Sequence, residues 1–395
     1  MSKIDFMSLK TIDFCDDVRD GTHDSPKHLD SGKLLITSKN IKGDSIDFEN
    51  ASYISEEDYN KINERSLVEI NDVLYSMIGT VGLVYRVDQQ PNYAIKNMGL
   101  FKIHDELKSK WLYYYLNSPK AKGKVLSMLS GSTQKFISLS NLRNLEIEFP
   151  QNIDDAKRII KICESIDKKI KLNNKINNNL YELAINYLNE KVEETEVPVS
   201  KFAKIQGGYA FKSKDLIDVH TKNRIIKIKN LRSEINADVI NSQFVENKVV
   251  EKLDNKFRLS KGDVAIAMTG AELGKTGFIY GNDNYFLNQR VGVIRGNNKA
   301  CELYLKILFL SDEFQTLLNS KGYGSAQPNV STSDIENILI NDITEDNLKK
   351  LYEIIKPIYE KIISNSEEIL NLEQLRDTLL PKMMNGEIDL DNIEI

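Results

Sequence analysis

The sequence predicts an α+β fold in which two similar domains are separated by two long antiparallel helices that form a coiled-coil pair. Short sequence matches recur in the same order at a nearly constant offset, which indicates an internal duplication. Each copy alternates short strand-like runs with Gly and Asn turns, and each is followed by a long segment with heptad-like apolar spacing. Two such copies in one chain predict a molecule with pseudo-two-fold symmetry.

Four matches carry the evidence for duplication, and their offset stays between 190 and 195 residues. They pair residues 37–41 with 227–231, 71–79 with 262–270, 82–85 with 277–280, and the Gly-Ser-x-Gln strings at 131–134 and 324–327. We therefore place one domain at residues 1–152 and the other at 197–342. Within each we expect short strands, one helical stretch (111–129 or 302–318), the Gly-Ser-x-Gln loop and a last short strand.

The two segments that follow the domains lose nearly all Gly and Pro, which is typical of long helices. We expect a central long helix and linker at 153–196 and a C-terminal long helix and tail at 343–395. A stretch of 39 residues spans about 58 Å at about 1.5 Å per residue, which favours a mutual pair over helices that each pack on their own domain. Pro357 should kink the second helix or mark its start.

The apolar seam of this pair shows the same spacing in both helices, with a polar Asn at a matching level. A polar residue in an apolar seam weakens packing but specifies the register. The predicted seam residues are Ile159, Ile166, Ile170, Asn173 and Leu180 in the first helix, and Leu351, Ile355, Ile362, Asn365 and Leu372 in the second.

Composition limits the function classes. The net charge of −5 excludes a chain that is basic throughout, so a nucleic-acid surface would have to be a local face. Residues 197–342 carry 20 Lys and Arg against 16 Asp and Glu. Three widely spaced cysteines favour free thiols in a reducing cytoplasm. The sequence shows neither a signal-peptide core nor an apolar run long enough to span a membrane.

Signatures of catalysis are missing from the sequence. No Pro-Pro pair occurs, which removes the Asn/Asp-Pro-Pro-Tyr/Phe motif of amino-methyltransferases, and no Pro-Asp pair opens a nuclease motif. The loop at 270–276 has three residues between its glycines, where a phosphate-binding loop needs four. The four histidines do not combine with cysteines at metal-ligand spacing. We therefore expect no catalytic residue and no metal site in this chain.

Several strings now carry a family resemblance that covers nearly the whole chain. Asp-Gly-Thr-His-Asp-Ser-Pro at 20–26 and Gly-Gly-Tyr-Ala-Phe-Lys-Ser at 207–213 resemble openings of a known recognition domain, and Asn-Gln-Arg-Val at 288–291 and the Gly-Ser-x-Gln loops also match. The ending Leu-Leu-Pro-Lys-Met-Met-Asn-Gly-Glu-Ile-Asp at 379–389 is the most specific string. Together with the duplication, they make the chain resemble the specificity subunit of Type I restriction–modification systems.

The resemblance implies that each domain is a target-recognition domain reading one half of a split sequence in double-stranded DNA. It implies that the long helices hold the domains apart and dock two methyltransferase (modification) subunits, through which restriction/translocase subunits join. S-adenosylmethionine, ATP and Mg²⁺ would then be cofactors of those partners, with none held by this chain. The alternative function is a coiled-coil scaffold with two protein-binding domains and no role on DNA.

Base discrimination in the major groove uses Asn, Gln, Arg and Lys side chains, and these types recur in the repeated loops. The candidates are Ser38, Lys39, Asn40, Lys96, Asn97, Gln134 and Lys135 in the first domain, and Lys229, Asn230, Arg232, Asn288, Gln289, Arg290 and Gln327 in the second. Structural roles stay open for several of them. The loop glutamines could bond backbone groups, Asn40 and Asn230 could be left-handed turn residues, and Lys96 and Arg290 could be simple surface charges.

Overall fold

The computed structural model describes residues 4–131, 135–231, 235–321 and 329–388. The chain divides into two compact units, one formed by Met1–Lys168 with Glu373–Ile395 and the other by Lys169–Leu372. Each unit therefore contains one α+β domain together with parts of both long helices, whereas the sequence pattern suggested separate helical segments. No helix in the described part of the chain is long and apolar enough to cross a membrane.

The first domain contains eleven strands and five helices among the residues described. Its strands are β1 Phe6–Lys10, β2 Asp17–Asp20, β3 Lys33–Ile36, β4 Ile41–Lys42, β5 Ser45–Ile46, β6 Ser52–Ile54, β7 Val73–Ser76, β8 Val84–Arg86, β9 Tyr93–Ile95, β10 Met98–Lys102 and β11 Glu146–Pro150. Its helices are α1 Thr11–Phe14, α2 Glu56–Ser66, α3 Glu106–Asn117, α4 Pro119–Met128 and α5 Leu139–Arg143. The first long helix, α6, follows at Ile153–Asn189.

Three sheets organise most of this domain. A four-stranded antiparallel sheet has the order β2-β10-β7-β8, and a three-stranded sheet has the order β6-β3-β9. In the second sheet β3 and β9 are parallel, with Leu34 opposite Tyr93 and Ile36 opposite Ile95. The terminal strands β1 and β11 pair antiparallel, so the beginning and the end of the domain lie side by side.

The second domain repeats this plan. Its strands are β12 Glu196–Pro198, β13 Ala203–Gly207, β14 Leu216–Ile217, β15 Asn223–Ile226, β16 Gln243–Val245, β17 Arg258–Leu259, β18 Val264–Ala267, β19 Thr276–Phe278, β20 Asn284–Leu287, β21 Val291–Gly296 and β22 Leu339–Asn341. Its helices are α7 Asn247–Val250, α8 Lys299–Leu310, α9 Asp312–Lys321 and α10 Thr332–Glu336, and the second long helix, α11, follows at Glu345–Met384.

The four-stranded sheet and the terminal strand pair of the second domain match those of the first, whereas its second sheet has five strands instead of three. The order β13-β21-β18-β19 corresponds to β2-β10-β7-β8, and β12 pairs with β22 as β1 does with β11. The second sheet, β14-β16-β15-β20-β17, again contains a parallel pair, with Asn223 opposite Asn284 and Ile226 opposite Leu287. The predicted α+β class and the duplication are confirmed.

The repeated string at 71–79 and 262–270 has a structural cause. Asn71 and Gly262 both adopt left-handed backbone conformations, with φ of 74° and 79°. The next residue in each copy is a buried Asp whose carboxylate stabilises the turn. The Asp72 side chain accepts from Glu69 N at 2.7 Å, and the Asp263 side chain accepts from Ser260 N at 2.9 Å. Burial raises the pKa of the Asp72 carboxyl, and an ion pair with Lys102 at 2.7 Å opposes that shift.

One predicted helix per domain is in fact two. In the first domain α3 ends before Ser118, whose side chain caps α4 by accepting from Ala121 N at 3.2 Å, and Pro119 occupies the first turn of α4. Proline cannot continue a helix but fits its first turn, where the missing N–H has no partner to lose. Ser311 separates α8 from α9 in the second domain in the same way, accepting from Phe314 N at 3.2 Å.

The long helices run antiparallel in the second compact unit and are joined by an ion pair in the first. In the second unit Asn177 meets Ile362 and Ser366, while Asn347 near the start of α11 bonds Lys191 O beyond the end of α6 at 3.0 Å. In the first unit Arg376 pairs with Asp167 at 2.9 Å. Most predicted seam residues are buried, and Leu180 and Leu372 are half-buried. Helix α11 begins at Glu345, so Pro357 does not mark its start.

The polar layer of the seam differs in detail from the expectation. The Asn365 Nδ2 donates to Asn177 Oδ1 at 2.9 Å, and the Asn177 Nδ2 donates to Ser366 Oγ at 3.1 Å. Asn173 instead donates to Glu368 Oε2 at 2.9 Å. The antiparallel direction explains the difference, because residues at matching positions in the two repeats are not opposite each other. The interacting amides are those of Asn177 and Asn365.

We predict that Asn365→Ala destabilises the chain by about 1–3 kcal/mol, because it leaves the Oδ1 of the buried Asn177 without its donor. The neighbouring Ser364→Ala variant is the matched control, since Ser364 is exposed on the same helix. Denaturant unfolding measures both variants. Equal midpoints for Asn365→Ala and Ser364→Ala would show that the amide layer contributes nothing to stability.

Candidate nucleic-acid interface

The parallel strand pair of the first domain brings two distant loops together. Strands β3 and β9 end at Ile36 and Ile95, and the Lys96 N donates to Ile36 O at 2.9 Å immediately beyond both ends. Residues 37–40 and 96–97 leave the sheet from this point. Parallel strands share the edge at which they end, so the loops that follow them lie at one edge of the domain.

Three further segments join this edge through hydrogen bonds. The Thr22 N donates to Ile95 O at 3.1 Å, and the Ser38 hydroxyl donates to Ile78 O at 3.4 Å. The segment that follows the first Gly-Ser-x-Gln string is held by the Ile137 N, which donates to Met77 O at 3.0 Å. We define the loop edge of domain 1 by these segments: residues 21–25, 37–40, 77–79, 96–97 and 135–136.

The second domain has an equivalent edge built by equivalent bonds. The Asn288 N donates to Ile226 O at 3.1 Å, the Tyr209 N donates to Leu287 O at 2.9 Å, and the Val330 N donates to Met268 O at 3.0 Å. We define the loop edge of domain 2 as residues 208–211, 227–230, 268–270, 288–290 and 329. In both domains the Met carbonyl of the repeated Met-x-Gly string therefore holds a later loop against the edge.

Each edge requires a glycine where two backbones cross. A Cβ at Gly21 would lie 2.3 Å from the Ile95 carbonyl oxygen, and one at Gly208 would lie 2.0 Å from that of Asn288. Both distances are far below van der Waals contact, and backbone atoms cannot move aside as a flexible side chain can. Gly21 and Gly208, which lie in the strings at 20–26 and 207–213, are therefore required because the chain passes so close to the end of the parallel pair that no side chain fits.

The loop edges collect most of the described candidate residues. Lys39, Lys135, Lys229, Gln289 and Arg290 are exposed, while Ser38, Lys96, Asn97 and Asn288 are half-buried. The Lys96 Nζ donates to Ser25 Oγ at 2.6 Å, and the Arg290 Nη1 donates to Asn329 Oδ1 at 3.0 Å. Gln134, Arg232 and Gln327 lie outside the described residues, so their roles stay predictions.

Asn40 and Asn230 do not present their side chains to a ligand, and we correct the expectation that they contact bases. They are 4% and 1% exposed. Asn40 Oδ1 accepts from Thr37 N at 3.0 Å, and its Nδ2 donates to Asp47 O at 3.2 Å. Asn230 does the same with Lys227 N and Asp238 O, both at 3.0 Å. Each closes a 3₁₀ turn that shapes its loop, and neither adopts a left-handed conformation.

Backbone strain coincides with two of the candidates. Among the described non-glycine residues, three have positive φ, and two of these are Asn97 at 54° and Arg290 at 69°. Each stands directly before one of the two inner strands of its four-stranded sheet, β10 or β21. Non-glycine residues in this conformation are uncommon and concentrate at ligand-binding sites. The sequence alone offered no signal for this strain.

The loop edge of domain 2 carries three cationic side chains, which are Lys227, Lys229 and Arg290. Burial, followed by repulsion from Lys229, lowers the pKa of the Lys227 amino group, whose Nζ donates to Gln243 Oε1 at 2.5 Å. Lys229 itself is exposed, and Arg290 is exposed on the adjacent turn. The exposed Lys229 and Arg290 charges are available to a phosphate group that approaches this edge.

The described residues form no cluster of three or more His, Cys, Asp or Glu side chains that could hold a metal ion. The loop at 270–276 connects β18 to β19, which pair antiparallel, so no helix N-terminus follows it. A phosphate-binding loop needs that helix, and Lys275 is instead paired with Glu272. This geometry agrees with the absence of a nucleotide motif in the sequence.

Comparison with known proteins decides the family. The model of the Type I restriction modification DNA specificity domain matches this chain twice, at residues 24–182 and 209–374. The chain belongs to this family. The two matches correspond to the two halves of the duplication, and DNA target recognition is the role of the family.

Individual relatives of the specificity family agree with this assignment. The chain is 24% identical over 375 residues to the Type I restriction enzyme MjaIX specificity subunit of Methanocaldococcus jannaschii, covering 86% of this chain and 84% of that protein. Its fold resembles that of the Type I restriction–modification S subunit from M. genitalium, with a TM-score of 0.54, 15% identity and 97% of each chain covered. A glutamate 5-kinase of Prochlorococcus marinus is 26% identical over 197 residues, but that match covers 50% of this chain.

For this member of the specificity family we predict that replacing an exposed lysine on a loop edge changes DNA binding, whereas replacing the buried asparagine next to it changes stability. Lys39→Ala and Lys229→Ala should keep the unfolding midpoint and lower the salt dependence of DNA binding by about one ion per lost phosphate contact. Asn40→Ala and Asn230→Ala should instead lower stability by about 1–3 kcal/mol, because each leaves backbone groups unpaired.

Chemical denaturation and duplex titrations at several salt concentrations separate the two effects. A Lys39→Ala or Lys229→Ala variant with an unchanged salt slope would remove that lysine from the interface. An Asn40→Ala or Asn230→Ala variant of unchanged stability would contradict the structural role assigned to these amides.

Proposed function

We propose that the chain reads a two-part DNA target, one part with each loop edge, and brings methyltransferase and restriction subunits to it. The observation that carries the proposal is the repetition of one loop-bearing architecture with different side chains. Domain 1 offers Asn97 where domain 2 offers Arg290, and each stands at the strained position before β10 or β21. Because Asn and Arg present different hydrogen-bonding groups to the base edges, the two half-sites should differ.

The long helices supply a surface for partner subunits. Within the second unit, Leu172, Leu183 and Ile354 are exposed apolar side chains on α6 and α11, and within the first unit Leu375 is exposed on α11. These side chains are available to pack against a partner protein that binds along the helices. We propose that two methyltransferase subunits bind these helices and that restriction/translocase subunits join through them.

Catalysis in this proposal belongs to the partners, which would hold S-adenosylmethionine, ATP and Mg²⁺. The hairpin geometry of the loop at 270–276, which differs from that of a phosphate-binding loop, supports the proposal. The missing methyltransferase and nuclease motifs in the sequence support it further.

We predict that the purified chain alone transfers no methyl group to DNA, hydrolyses no ATP and cleaves no DNA, and that methylation appears on adding the methyltransferase subunit. Radiolabelled methyl transfer to a duplex measures the first activity, and phosphate release and strand cleavage measure the others. Methylation by the chain alone, in proportion to its concentration, would contradict the proposal.

We also predict that the recognition domains are interchangeable units. Replacing residues 197–342 with the second domain of a relative should change one half of the methylated motif and leave the other half intact, because each loop edge is built within its own domain. Genome-wide mapping of methylated bases reads both halves at once. A replacement that changed both halves together would show that the domains do not read independently.

A further inference from the structure

His23 links a buried carboxylate to the strained residue on the loop edge of domain 1. Its Nε2 lies 3.0 Å from Asp20 Oδ2, and its Nδ1 lies 2.9 Å from Asn97 Oδ1. The ring belongs to the segment that crosses the end of the parallel pair at Gly21. The sequence pattern did not place His23 among the base-contacting candidates.

The carboxylate of Asp20 is held in place by its burial and its hydrogen bonds. Its side chain is 6% exposed, and its second oxygen, Oδ1, accepts from Arg65 on α2. An ionised carboxylate can only accept hydrogen bonds, so the histidine Nε2 that faces it must carry a proton. The ring orientation and the proton on this nitrogen are thus determined by β2 and α2.

The second ring nitrogen then decides which end of the Asn97 amide faces outward. When Nδ1 also carries a proton, it donates to Oδ1, and the amide directs its NH₂ group away from the ring. When Nδ1 is unprotonated it accepts from the NH₂ group, and the oxygen turns outward. An outward NH₂ pairs with acceptors such as guanine O6 or thymine O4, whereas an outward oxygen pairs with the amino groups of cytosine or adenine.

We propose that His23 is a positioning residue that selects, by its protonation, the end of the Asn97 amide presented to DNA and so specifies one base pair of the first half-site. This inference rests on the proposed function. As His23 is 57% exposed, its ring can exchange protons with solvent. The other charged groups around it are Asp20 on β2, Arg65, Asp58 and Lys61 on α2, Asp24 on its own segment and Lys96 on the adjacent turn.

Domain 2 provides an internal control, because it holds its strained residue differently. Ala210 follows Gly208-Tyr209 where His23 follows Gly21-Thr22, so no imidazole is available at this position. Arg290 is held instead by Asn329. A guanidinium can only donate hydrogen bonds, and it keeps its charge over the whole working pH range. Recognition of the second half-site should therefore not depend on the protonation of a histidine.

The test uses the complex of the chain with its methyltransferase subunit and a set of duplexes in which each base pair of either half-site is replaced in turn. Competition binding is measured at about pH 6 and about pH 8, which bracket the usual titration range of histidine. The variants are His23→Ala, His23→Arg and Asn97→Ala, with His28→Ala as the control for loss of an exposed histidine outside the site.

In the wild type, discrimination at one base pair of the first half-site should change about tenfold between the two pH values, the size of one good base contact. His23→Ala should lose that discrimination and its pH dependence, as should Asn97→Ala. His23→Arg donates to both neighbours at either pH, so it should retain the low-pH preference throughout. His28→Ala and every second-half-site preference should match the wild type.

The possible results separate the inference from the function on which it rests. If Asn97→Ala loses a preference while His23→Ala keeps it with the same pH profile, His23 does not position the amide. The inference is also overturned if neither variant changes a first-half-site preference, or if His23→Ala weakens both half-sites equally, which is the result of a folding defect. Wild-type complex that discriminates at neither half-site would instead overturn the proposed function.

Discussion

The parallel strand pairs, β3 with β9 and β15 with β20, are the interaction on which the candidate interface of each domain depends. A parallel pair needs a long connection between its strands, because the chain must return to the same end before the second strand starts. Two segments therefore leave the sheet side by side at one edge. The bonds from Lys96 N to Ile36 O and from Asn288 N to Ile226 O extend this pairing by one step and hold the loops in place.

Much of the duplication was predictable, because the same structural requirements keep the same residues at equivalent positions of both copies. Examples are the left-handed turn and buried Asp at 71–72 and 262–263, and the Met-x-Gly strings whose backbone bonds a later loop. The long helices were also predictable from their apolar spacing. The break at Ser118 was missed, although the Ser-Pro pair is a recognisable helix start.

The candidate site was less predictable, because residue type alone does not reveal which side chains are already bonded. Asn40 and Asn230 have the chemistry of base-reading residues, but the side-chain amide of each is hydrogen-bonded to the backbone of its own loop. The strain at Asn97 and Arg290 and the link through His23 depend on contacts between segments far apart in the chain. In the same way, the pairing of Asn177 with Asn365 depends on the antiparallel direction and offset of the helices.

The central claim is that the two loop edges contact the two halves of the DNA target. Hydrogen–deuterium exchange of the chain in its methyltransferase complex, with and without the target duplex, tests it directly. We expect slower exchange at 37–40 and 96–97 and at 227–230 and 288–290, with protection in domain 1 lost when the first half-site alone is replaced. Protection confined to the opposite ends of the strands, at 69–72 and 260–263, would contradict it.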